Sequence, residues 1–197
     1  SLGDWFVNQD KLTGGLKRVA DRTHEHGMKF GLWFEPEMIS VDSKLYKKHP
    51  DYALHEPNRG MTLSRNQLVL DFSRKEVVDN IYNQMCLILD KVPLDYIKWD
   101  FNRNLTEVFS SAADAEHQGE VSHRYVLGLY DLMERLVTRY PNILFEGCSG
   151  GGGRFDAGIL YYMPQSWPSD DTDAVERLKI QYGTSLTYPI SSMTAHV

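Results

Sequence analysis

The stretch Tyr96-Ile-Lys-Trp-Asp-Phe-Asn-Arg103 joins a short apolar run to a cluster of charged and polar side chains. Such a run predicts a buried strand over 96–100, with the polar residues at its carboxyl end. A helix is predicted on either side, over 74–91 and 121–140, because apolar residues recur there at helical spacing. We therefore expect the chain to pass from helix to strand to helix around this stretch.

The same alternation continues outward in both directions. Further helices are predicted over 14–26 and 173–185, and further strands over 28–34, 142–145 and 187–192. Gly27 is expected to end the first of these helices. Asp173 and Glu176 are expected to form a capping box at the start of the last one. Residues 103–120 are polar with little periodicity, so we predict a loop there.

This alternation is typical of the α/β class, with a parallel sheet covered by helices. Polar and aromatic residues follow several of the predicted strands, at 33–37, 100–102, 146–153 and 167–173. A barrel builds its site from several strand ends, whereas a doubly wound sheet uses one switch point, so a (β/α)8 TIM barrel is favoured. A complete barrel needs about 250 residues. We therefore predict one incomplete barrel domain over 1–197, lacking its first strands and its last, and no second domain.

Composition excludes several classes of function. The net charge is -6, which suits neutral, hydroxyl-rich ligands better than nucleic acid. No apolar run approaches the roughly 20 residues of a membrane span, so we expect no membrane association. The first residue is not Met, which suggests a fragment, and the opening residues lack the features of a signal peptide. Two cysteines, Cys86 and Cys148, form no disulfide framework, and a reducing, cytoplasmic setting is predicted.

The segment around Asp100 has a pattern that suits a nucleophile. Side chains alternate along a strand, so Lys98, Asp100 and Asn102 are expected to point to one side. A cation two residues from a carboxylate would keep that carboxylate ionised. An ordinary salt bridge at a strand end is the alternative interpretation.

A second acidic segment follows Trp167, with Asp170, Asp171 and Asp173 close together. Mutual repulsion and burial raise a carboxyl pKa, which a general acid needs. A helix start is the alternative, and it accounts best for Asp173. With Asp100, this segment supplies the carboxylate pair that glycoside hydrolysis uses.

Tryptophans near both acidic segments suit a sugar site, because the apolar face of a sugar ring packs on an aromatic ring. Trp33 and Trp167 are the candidates for this role. Trp99 alternates away from Asp100, so we predict that it packs in the core.

The glycine run 147–153 stands between a predicted strand and a helix. It lacks the Gly-Lys-Ser/Thr ending of a phosphate loop and the spacing of a dinucleotide turn. Close approach of the backbone to a ligand is a better explanation for the glycines. Cys148 is expected to be a core thiol or to line a pocket. The histidines at 24, 26, 49, 55, 117, 123 and 196 show no ligand spacing, so we predict no metal and no cofactor.

Several motifs together resemble glycoside hydrolase family 36, the α-galactosidases that act on melibiose and raffinose. The matching runs occur in the order and spacing of the family over nearly the whole chain, and they are Phe30-Gly-Leu-Trp-Phe-Glu-Pro-Glu-Met38, Arg65-Asn-Gln-Leu-Val-Leu-Asp71, Tyr96-Ile-Lys-Trp-Asp-Phe-Asn-Arg103, Gly147-Cys-Ser-Gly-Gly-Gly-Gly-Arg-Phe-Asp156 and Ser169-Asp-Asp-Thr-Asp-Ala174.

The resemblance implies a (β/α)8 barrel and retaining hydrolysis of α-galactosides by double displacement. It implies that Asp100 is the nucleophile and Asp170 the acid/base. Family contacts to the galactosyl group map onto Trp33, Arg65, Lys98, Asn102, Cys148 and Gly151. We expect the full-length protein to be a homo-oligomer and the isolated fragment to be a poor enzyme, because an upstream Asp-Asp motif of the family precedes Ser1.

Three alternatives stay open. Raffinose and stachyose synthases resemble the same family, and they transfer galactose to a sugar instead of water. A non-catalytic sugar-binding domain and a phosphate-binding domain built on the glycine run are the others. The sequence departs from the common family pattern at Ser64, where Gly is usual, and at Pro168, where Thr is usual.

Overall fold

The computed structural model describes residues 1–195 of the chain, which fold into alternating strands and helices. The strands are β1 (Gly31–Phe34), β2 (Met38–Ile39), β3 (Leu68–Val69), β4 (Tyr96–Trp99), β5 (Leu144–Gly147) and β6 (Gln165–Ser166). The helices are α1 (Gly15–Glu25), α2 (Lys44–Lys48), α3 (Lys75–Leu89), α4 (Val121–Arg139), α5 (Ala157–Tyr162) and α6 (Ala174–Ser185). Short 3-10 helices span Pro50–Tyr52, Gln118–Glu120 and Ile190–Ser192.

Four of the strands form one parallel sheet in the order β1-β4-β5-β6. The register aligns Lys98 of β4 with Trp33 of β1 on one side and with Glu146 of β5 on the other. Parallel pairing brings the carboxyl ends of all four strands to the same edge, so the polar residues that follow them meet there. The predicted α/β class with a parallel sheet is confirmed.

The long helices agree with the sequence patterns. Helix α4 buries one face, made of Val121, Tyr125, Leu129, Leu132, Met133 and Leu136. Gly27 has a φ of 71° two residues after α1, as expected for a glycine that ends a helix. Residues 103–117 contain no helix or strand, which confirms the predicted loop.

The core lies between the sheet and the helices. Ile97 and Trp99 of β4 are fully buried, as are Ile81 of α3 and Leu132 of α4. Burying an aliphatic side chain of this size stabilises a fold by about 1.5–3 kcal/mol. Strand β4, which leads directly to Asp100, is therefore anchored in the core by two fully buried side chains.

The predicted strand over 187–192 is wrong. Pro189 has no N–H to donate and fixes its own φ, and its carbonyl instead accepts the Ser192 N–H at 2.9 Å. The segment therefore turns into the 3-10 helix Ile190–Ser192, and a bridge to β6 begins at Met193.

The sequence patterns also missed the shortest elements. Strands β2 and β3, which pair with each other in an antiparallel two-stranded sheet, were not predicted, and neither was α2. Strand β6 and helix α5 were expected only by their places, before Trp167 and after the glycine run, and without bounds. These elements span two to six residues, which is too few for apolar periodicity to show. Within residues 1–195, we find no helix both long and apolar enough to cross a membrane.

Candidate active site

Asp100 follows the last residue of β4, at the carboxyl edge of the parallel sheet. Its backbone N–H donates to the carbonyl of Phe34 at 2.8 Å, so the ladder between β1 and β4 continues to Asp100 itself. Trp99 is fully buried, which confirms its predicted place in the core, and its indole N–H donates to Glu37 at 2.9 Å. Because side chains alternate along a strand, the burial of Trp99 on one face directs Asp100 to the other.

The carboxylate of Asp100 accepts hydrogen bonds on both oxygens. Its Oδ2 accepts from Trp33 Nε1 at 3.1 Å and from Asn102 Nδ2 at 2.6 Å. Its Oδ1 accepts the N–H of Phe101 at 2.9 Å, and the thiol of Cys148 also bonds the side chain. Asp100 is 7% exposed, so these donors take the place of water around it.

The pKa of Asp100 lies below its usual value. Burial by itself raises this pKa, because the charged form loses hydration. Hydrogen bonds from Trp33 and Asn102 favour the ionised form, as do those from Cys148 and the Phe101 N–H. The bonds outweigh the burial, so Asp100 is held as an oriented carboxylate.

Lys98 has a different partner from the one predicted. Its ammonium lies 4.0 Å from Oε1 of the buried Glu146 and 3.8 Å from the centroid of the Trp167 ring. The parallel register sets Lys98 beside Glu146, which draws the cation to β5. Hydrogen bonds, rather than the charge of Lys98, therefore lead among the causes that lower the pKa of Asp100.

Cys148 is buried directly after β5, and its N–H donates to the carbonyl of Trp99 at 2.8 Å. Burial, together with the negative charge of Asp100, raises the pKa of the Cys148 thiol to about 12. The thiol is therefore protonated at neutral pH and is available as a hydrogen-bond donor to Asp100. Of the two predicted interpretations of Cys148, burial is confirmed, and its place in a substrate pocket stays a prediction.

The glycine run approaches another chain segment more closely than any side chain would allow. Gly151 has a φ of 87°, and a Cβ added to it would lie 2.9 Å from the backbone nitrogen of Asp170. A Cβ on Gly152 would lie 2.3 Å from the carbonyl oxygen of Pro168. Glycine thus lets the loop after β5 pack against residues 168–170, which follow β6. The sequence predicts that these glycines let the backbone approach a ligand, whereas the contact found in the structure is with residues 168–170.

Asp170 lies on this second segment, three residues after Trp167. Its Oδ1 accepts the indole N–H of Trp167 at 2.9 Å, and the side chain is exposed. Trp167 carries the Lys98 ammonium over its ring. A short path of contacts, from Asp170 through Trp167 to Lys98, therefore leads back to the strand that ends at Asp100.

The neighbouring aspartates have other roles. Asp173 caps α6, because its Oδ1 accepts the N–H groups of Val175 and Glu176 at 3.0 Å each. Asp171 Oδ1 accepts the N–H of Asp173 at 2.9 Å. The capping prediction is confirmed for Asp173, whereas Glu176 pairs with Lys179 instead of completing the box.

Arg65 lies in a tight turn just before β3. Ser64 and Gln67 exchange backbone hydrogen bonds across the turn, at 3.1 and 3.4 Å. Arg65 and Asn66 between them have φ values of 54° and 58°, a left-handed conformation that residues with a side chain rarely adopt. Arg65 is exposed, so its guanidinium is accessible to solvent and to a ligand.

Three buried glutamates belong to the surroundings of the site and were not singled out from the sequence. Glu37 forms two bonds with the Arg154 guanidinium, at 2.8 and 3.0 Å. Glu146 accepts hydrogen bonds from the hydroxyls of Tyr96 and Thr194. Glu35 contacts the turn at Arg65 and the backbone after Asp100. Each of these glutamates lies inside or directly after an apolar run of the sequence, and this position could have indicated a buried carboxylate.

A cavity of about 750 Å³ opens beside the site, between α4 and the glycine run. Asn102, Ser149 and Gly150 line it, whereas Asp100 and Asp170 do not. Arg154 also borders it, but this guanidinium is paired with Glu37. The other guanidinium at the cavity, that of Arg103, donates to the carbonyls of Thr62 and Gln67. These contacts engage both cations and weaken the phosphate-binding alternative.

Among residues 1–195, no three side chains of His, Cys, Asp or Glu are arranged to hold a metal ion. Cys86 and Cys148 are free and buried. His196, one of the seven histidines of the sequence, lies outside the described residues.

Comparison with known proteins finds one family over the whole sequence. Residues 1–197 match the melibiase family. An α-galactosidase of Lactobacillus acidophilus is 64% identical over 197 residues, and the α-galactosidase AgaA of Geobacillus stearothermophilus is 60% identical. Each match covers 100% of this chain and 27% of the relative, so the chain spans about a quarter of the length of these proteins.

Solved structures agree with the sequences. The crystal structure of the Geobacillus enzyme, described as a glycoside hydrolase family 36 α-galactosidase, matches with a TM-score of 0.97 and 60% identity, over 100% of this chain and 27% of the other. Two variants of that enzyme, each with an aspartate replaced, match with TM-scores of 0.98 and 0.97 at 59% identity over the same shares of the two chains. One is in complex with raffinose and the other with stachyose.

Proposed function

The chain belongs to the melibiase family, glycoside hydrolase family 36, and from this premise we propose that the protein containing it is a retaining α-galactosidase. Its substrates would be galacto-oligosaccharides such as melibiose and raffinose, from which it removes terminal α-linked galactose. The observation that carries the proposal is the carboxylate of Asp100, which is buried, ionised and hydrogen-bonded on both oxygens. A nucleophile in a double displacement needs these properties.

The four-stranded parallel sheet is proposed to be part of a (β/α)8 barrel. Two features support this fold. The strands β1, β4, β5 and β6 are adjacent in space in the order in which they occur along the chain. Functional side chains lie at the carboxyl ends of at least three of them, namely Trp33 within the last two residues of β1, Asp100 directly after β4 and Cys148 directly after β5.

Asp170 is proposed as the general acid/base. It lies on the segment after β6 that packs against the glycine run, and Trp167 orients one of its oxygens. Its exposure leaves the other oxygen accessible to a leaving group and to water. A retaining enzyme requires its two carboxyl groups to lie about 5–5.5 Å apart, which stays a prediction for Asp100 and Asp170 in the full-length protein.

The variants of the Geobacillus enzyme support the same pair. The aspartate replaced in the raffinose complex and the one replaced in the stachyose complex are separated by as many residues as Asp100 and Asp170 are here. Replacing a catalytic carboxylate is a standard way to keep a substrate intact in a crystal. Because the two chains are 60% identical, an equal separation is expected if the two replaced aspartates correspond to Asp100 and Asp170.

The two steps of the reaction follow from these assignments. In the first, Asp100 attacks the anomeric carbon as the glycosidic bond breaks, and Asp170 gives its proton to the departing oxygen. In the second, Asp170 removes a proton from water, and the water oxygen attacks the same carbon and releases Asp100. Two inversions leave galactose with its original α configuration.

The remaining residues are proposed to bind the galactosyl group. Trp33 would pack on the sugar ring, because 44% of its surface is exposed while its N–H orients Asp100. Lys98, Asn102 and Arg65 would bond sugar hydroxyls. Cys148 and Gly151 would complete the floor of the site between the nucleophile and Asp170.

The stereochemistry of the first product tests the proposal. Full-length protein would be mixed with nitrophenyl α-galactoside, and NMR would follow the anomeric proton of released galactose before it equilibrates in water. α-Galactose as the first product is the expected result. β-Galactose first would contradict double displacement, and no release from this substrate, melibiose or raffinose would contradict the hydrolase as a whole.

Acceptor sugars separate the two catalytic alternatives. A galactosyltransferase would form more transfer product than free galactose when sucrose or raffinose is added in excess, whereas a hydrolase would release mainly galactose. A non-catalytic sugar-binding protein would bind galactose without turnover.

A further inference from the structure

Glu35 is a buried carboxyl group that connects two parts of the proposed site. It follows β1 directly and is 3% exposed. Its Oε1 accepts two hydrogen bonds, from the side chain of Gln67 at 3.2 Å and from the backbone N–H of Asn102 at 2.8 Å. One oxygen atom therefore joins the turn that carries Arg65 to the residue that bonds Asp100.

The turn at Arg65 needs such an anchor. Left-handed backbone is unfavourable for an ordinary L-residue, and here two adjacent residues, Arg65 and Asn66, adopt it. Such conformations persist where surrounding contacts fix them. Gln67, the last residue of the turn, is 2% exposed and supplies those contacts.

Gln67 is held at both its backbone and its side chain. Its carbonyl oxygen accepts from the guanidinium of Arg103, which also donates to the carbonyl of Thr62 at 3.1 Å. Its side-chain amide donates to Glu35. Arg103 and Glu35 thus fix the carboxyl end of the turn from two directions.

Asn102 is the other end of the connection. Its backbone N–H is bonded to Glu35, while its side-chain amide donates to Asp100 Oδ2 at 2.6 Å. A shift of the Asn102 backbone would move the side-chain amide and loosen the orientation of Asp100. Asn102 therefore links Glu35 to the nucleophile on one side, and Gln67 links Glu35 to the turn that carries Arg65 on the other.

We propose that Glu35 is a positioning residue that holds Arg65 and Asn102 in register, so that both reach the same galactosyl group while Asp100 stays oriented. This inference rests on the proposed α-galactosidase function. Glu35 itself touches neither the substrate nor the reacting atoms in this proposal. Its task is to give Asn102 and Gln67 one common acceptor.

The surroundings of Glu35 shift its pKa. Burial raises the pKa of Glu35, and the negative charge of Asp100 raises it further, against hydrogen bonds from Asn102 and Gln67 that lower it. The side-chain oxygen of a glutamine can accept the two hydrogen bonds that Oε1 of Glu35 accepts. Replacing Glu35 by Gln therefore keeps the acceptor, whereas replacing it by Leu keeps the bulk and removes the acceptor.

A double-mutant cycle in the full-length protein tests the proposal. Glu35→Leu, Arg65→Ala and the double variant would be assayed for kcat/KM on nitrophenyl α-galactoside, per active site, with competitive inhibition by galactose as a second reading. Glu35→Leu is expected to lose about 10²-fold, the scale of a misplacement of about 1 Å at a reacting site. The double variant is expected to lose at least tenfold less than the product of the two single losses, because Glu35 acts partly through Arg65.

Two further variants keep the test decisive. Glu35→Gln is expected to stay within about threefold of wild type, since it keeps the acceptor. If Glu35→Leu does not fold, Gln67→Leu takes its place in the cycle with Arg65→Ala, because it removes the same link from the other end. Glu76→Gln, at an exposed carboxylate on α3, is the matched control and should match wild type.

Losses that multiply in the cycle would overturn the proposal, because they mean that Glu35 supports the fold without acting through Arg65. A Glu35→Leu variant with wild-type kcat/KM and galactose affinity would overturn it too. Either result leaves the proposed function intact, since wild-type hydrolysis is measured in the same assay. Absence of hydrolysis in the wild type would instead contradict the proposed function.

Discussion

Asp100 and Asp170 have opposite surroundings. Asp100 is 7% exposed and accepts hydrogen bonds from the side chains of Trp33, Asn102 and Cys148 and from the Phe101 N–H. Asp170 is exposed, and the bond found for it among residues 1–195 comes from Trp167. Asp100 directly follows an inner strand of the sheet, whereas Asp170 lies in the segment between β6, an outer strand, and α6.

The difference matches the two tasks proposed for these carboxyl groups. A nucleophile must stay ionised and aligned with one carbon atom, which fixed donors on both oxygens achieve. An acid/base must hold a proton, give it up and take it back, so it has to remain accessible to the leaving group and to water. Rigid support is therefore expected to matter most at Asp100, and freedom to exchange a proton at Asp170.

The largest effect is expected at Asp100. In the full-length protein, Asp100→Asn should lower kcat by at least about 10⁴-fold, because the covalent intermediate can no longer form. The variant should stay folded, since the amide keeps the shape of the side chain, but it should unfold at a lower temperature because the donors around Asp100 favour a carboxylate. Asp100→Gly with added azide should yield the β-linked galactosyl azide. Turnover near wild type would move the nucleophile to another residue.

Asp170 is expected to show a loss that depends on the substrate. Asp170→Ala should lower kcat/KM for melibiose or raffinose by about 10²–10⁴-fold, the usual contribution of a general acid. Nitrophenyl galactoside should be affected far less, because its leaving group departs without a proton, and azide should give the α-linked product. Asp171→Ala is the matched control. If Asp171→Ala gives this pattern and Asp170→Ala does not, the acid/base is Asp171.

The hydrogen bond from Trp167 to Asp170 can be removed to test whether it orients the acid/base. Trp167→Phe keeps an aromatic ring near Lys98 but removes the N–H that bonds Asp170 at 2.9 Å. A single hydrogen bond contributes about 0.5–1.5 kcal/mol, which corresponds to roughly a 2–12-fold loss of kcat/KM on raffinose. Loss on raffinose without loss on nitrophenyl galactoside is the expected signature. Equal losses on both would mean that Trp167 serves binding and not Asp170.

The smallest effect is expected at Asn102, and the pH dependence of kcat/KM tests its influence on the pKa of Asp100. Asn102→Ala removes the 2.6 Å bond to Asp100, so the pKa of Asp100 should rise and the acidic limb of kcat/KM should move to higher pH. Asn104→Ala, at an exposed asparagine two residues on, should leave this limb in place. A limb that does not move in Asn102→Ala would show that the bond does not keep Asp100 ionised.

The same shift affects the stability of the fold. A carboxyl whose pKa is lowered on folding stabilises the folded state above its unfolded value, which is 3.8 for Asp. That contribution is lost as the pH falls through the lower, folded value. Asn102→Ala and wild type should therefore differ more in thermal stability at neutral pH than at an acidic pH below the pKa of Asp100 in the folded protein, where this carboxyl is protonated in the folded and in the unfolded state.

Local sequence patterns predict the long helices, the strands at 28–34, 96–100 and 142–145, and the segments that carry Asp100 and Asp170. Those features depend on residues close together in the chain, so periodicity and short motifs reveal them. Only the tertiary structure decided which side chains meet: Lys98 pairs with Glu146, the glycine run packs against 168–170, and Glu35 joins Gln67 to Asn102. The physical reason is that neighbouring parallel strands are separated by a helix and long loops, so the contacts between them depend on the register of the sheet, which no local pattern contains.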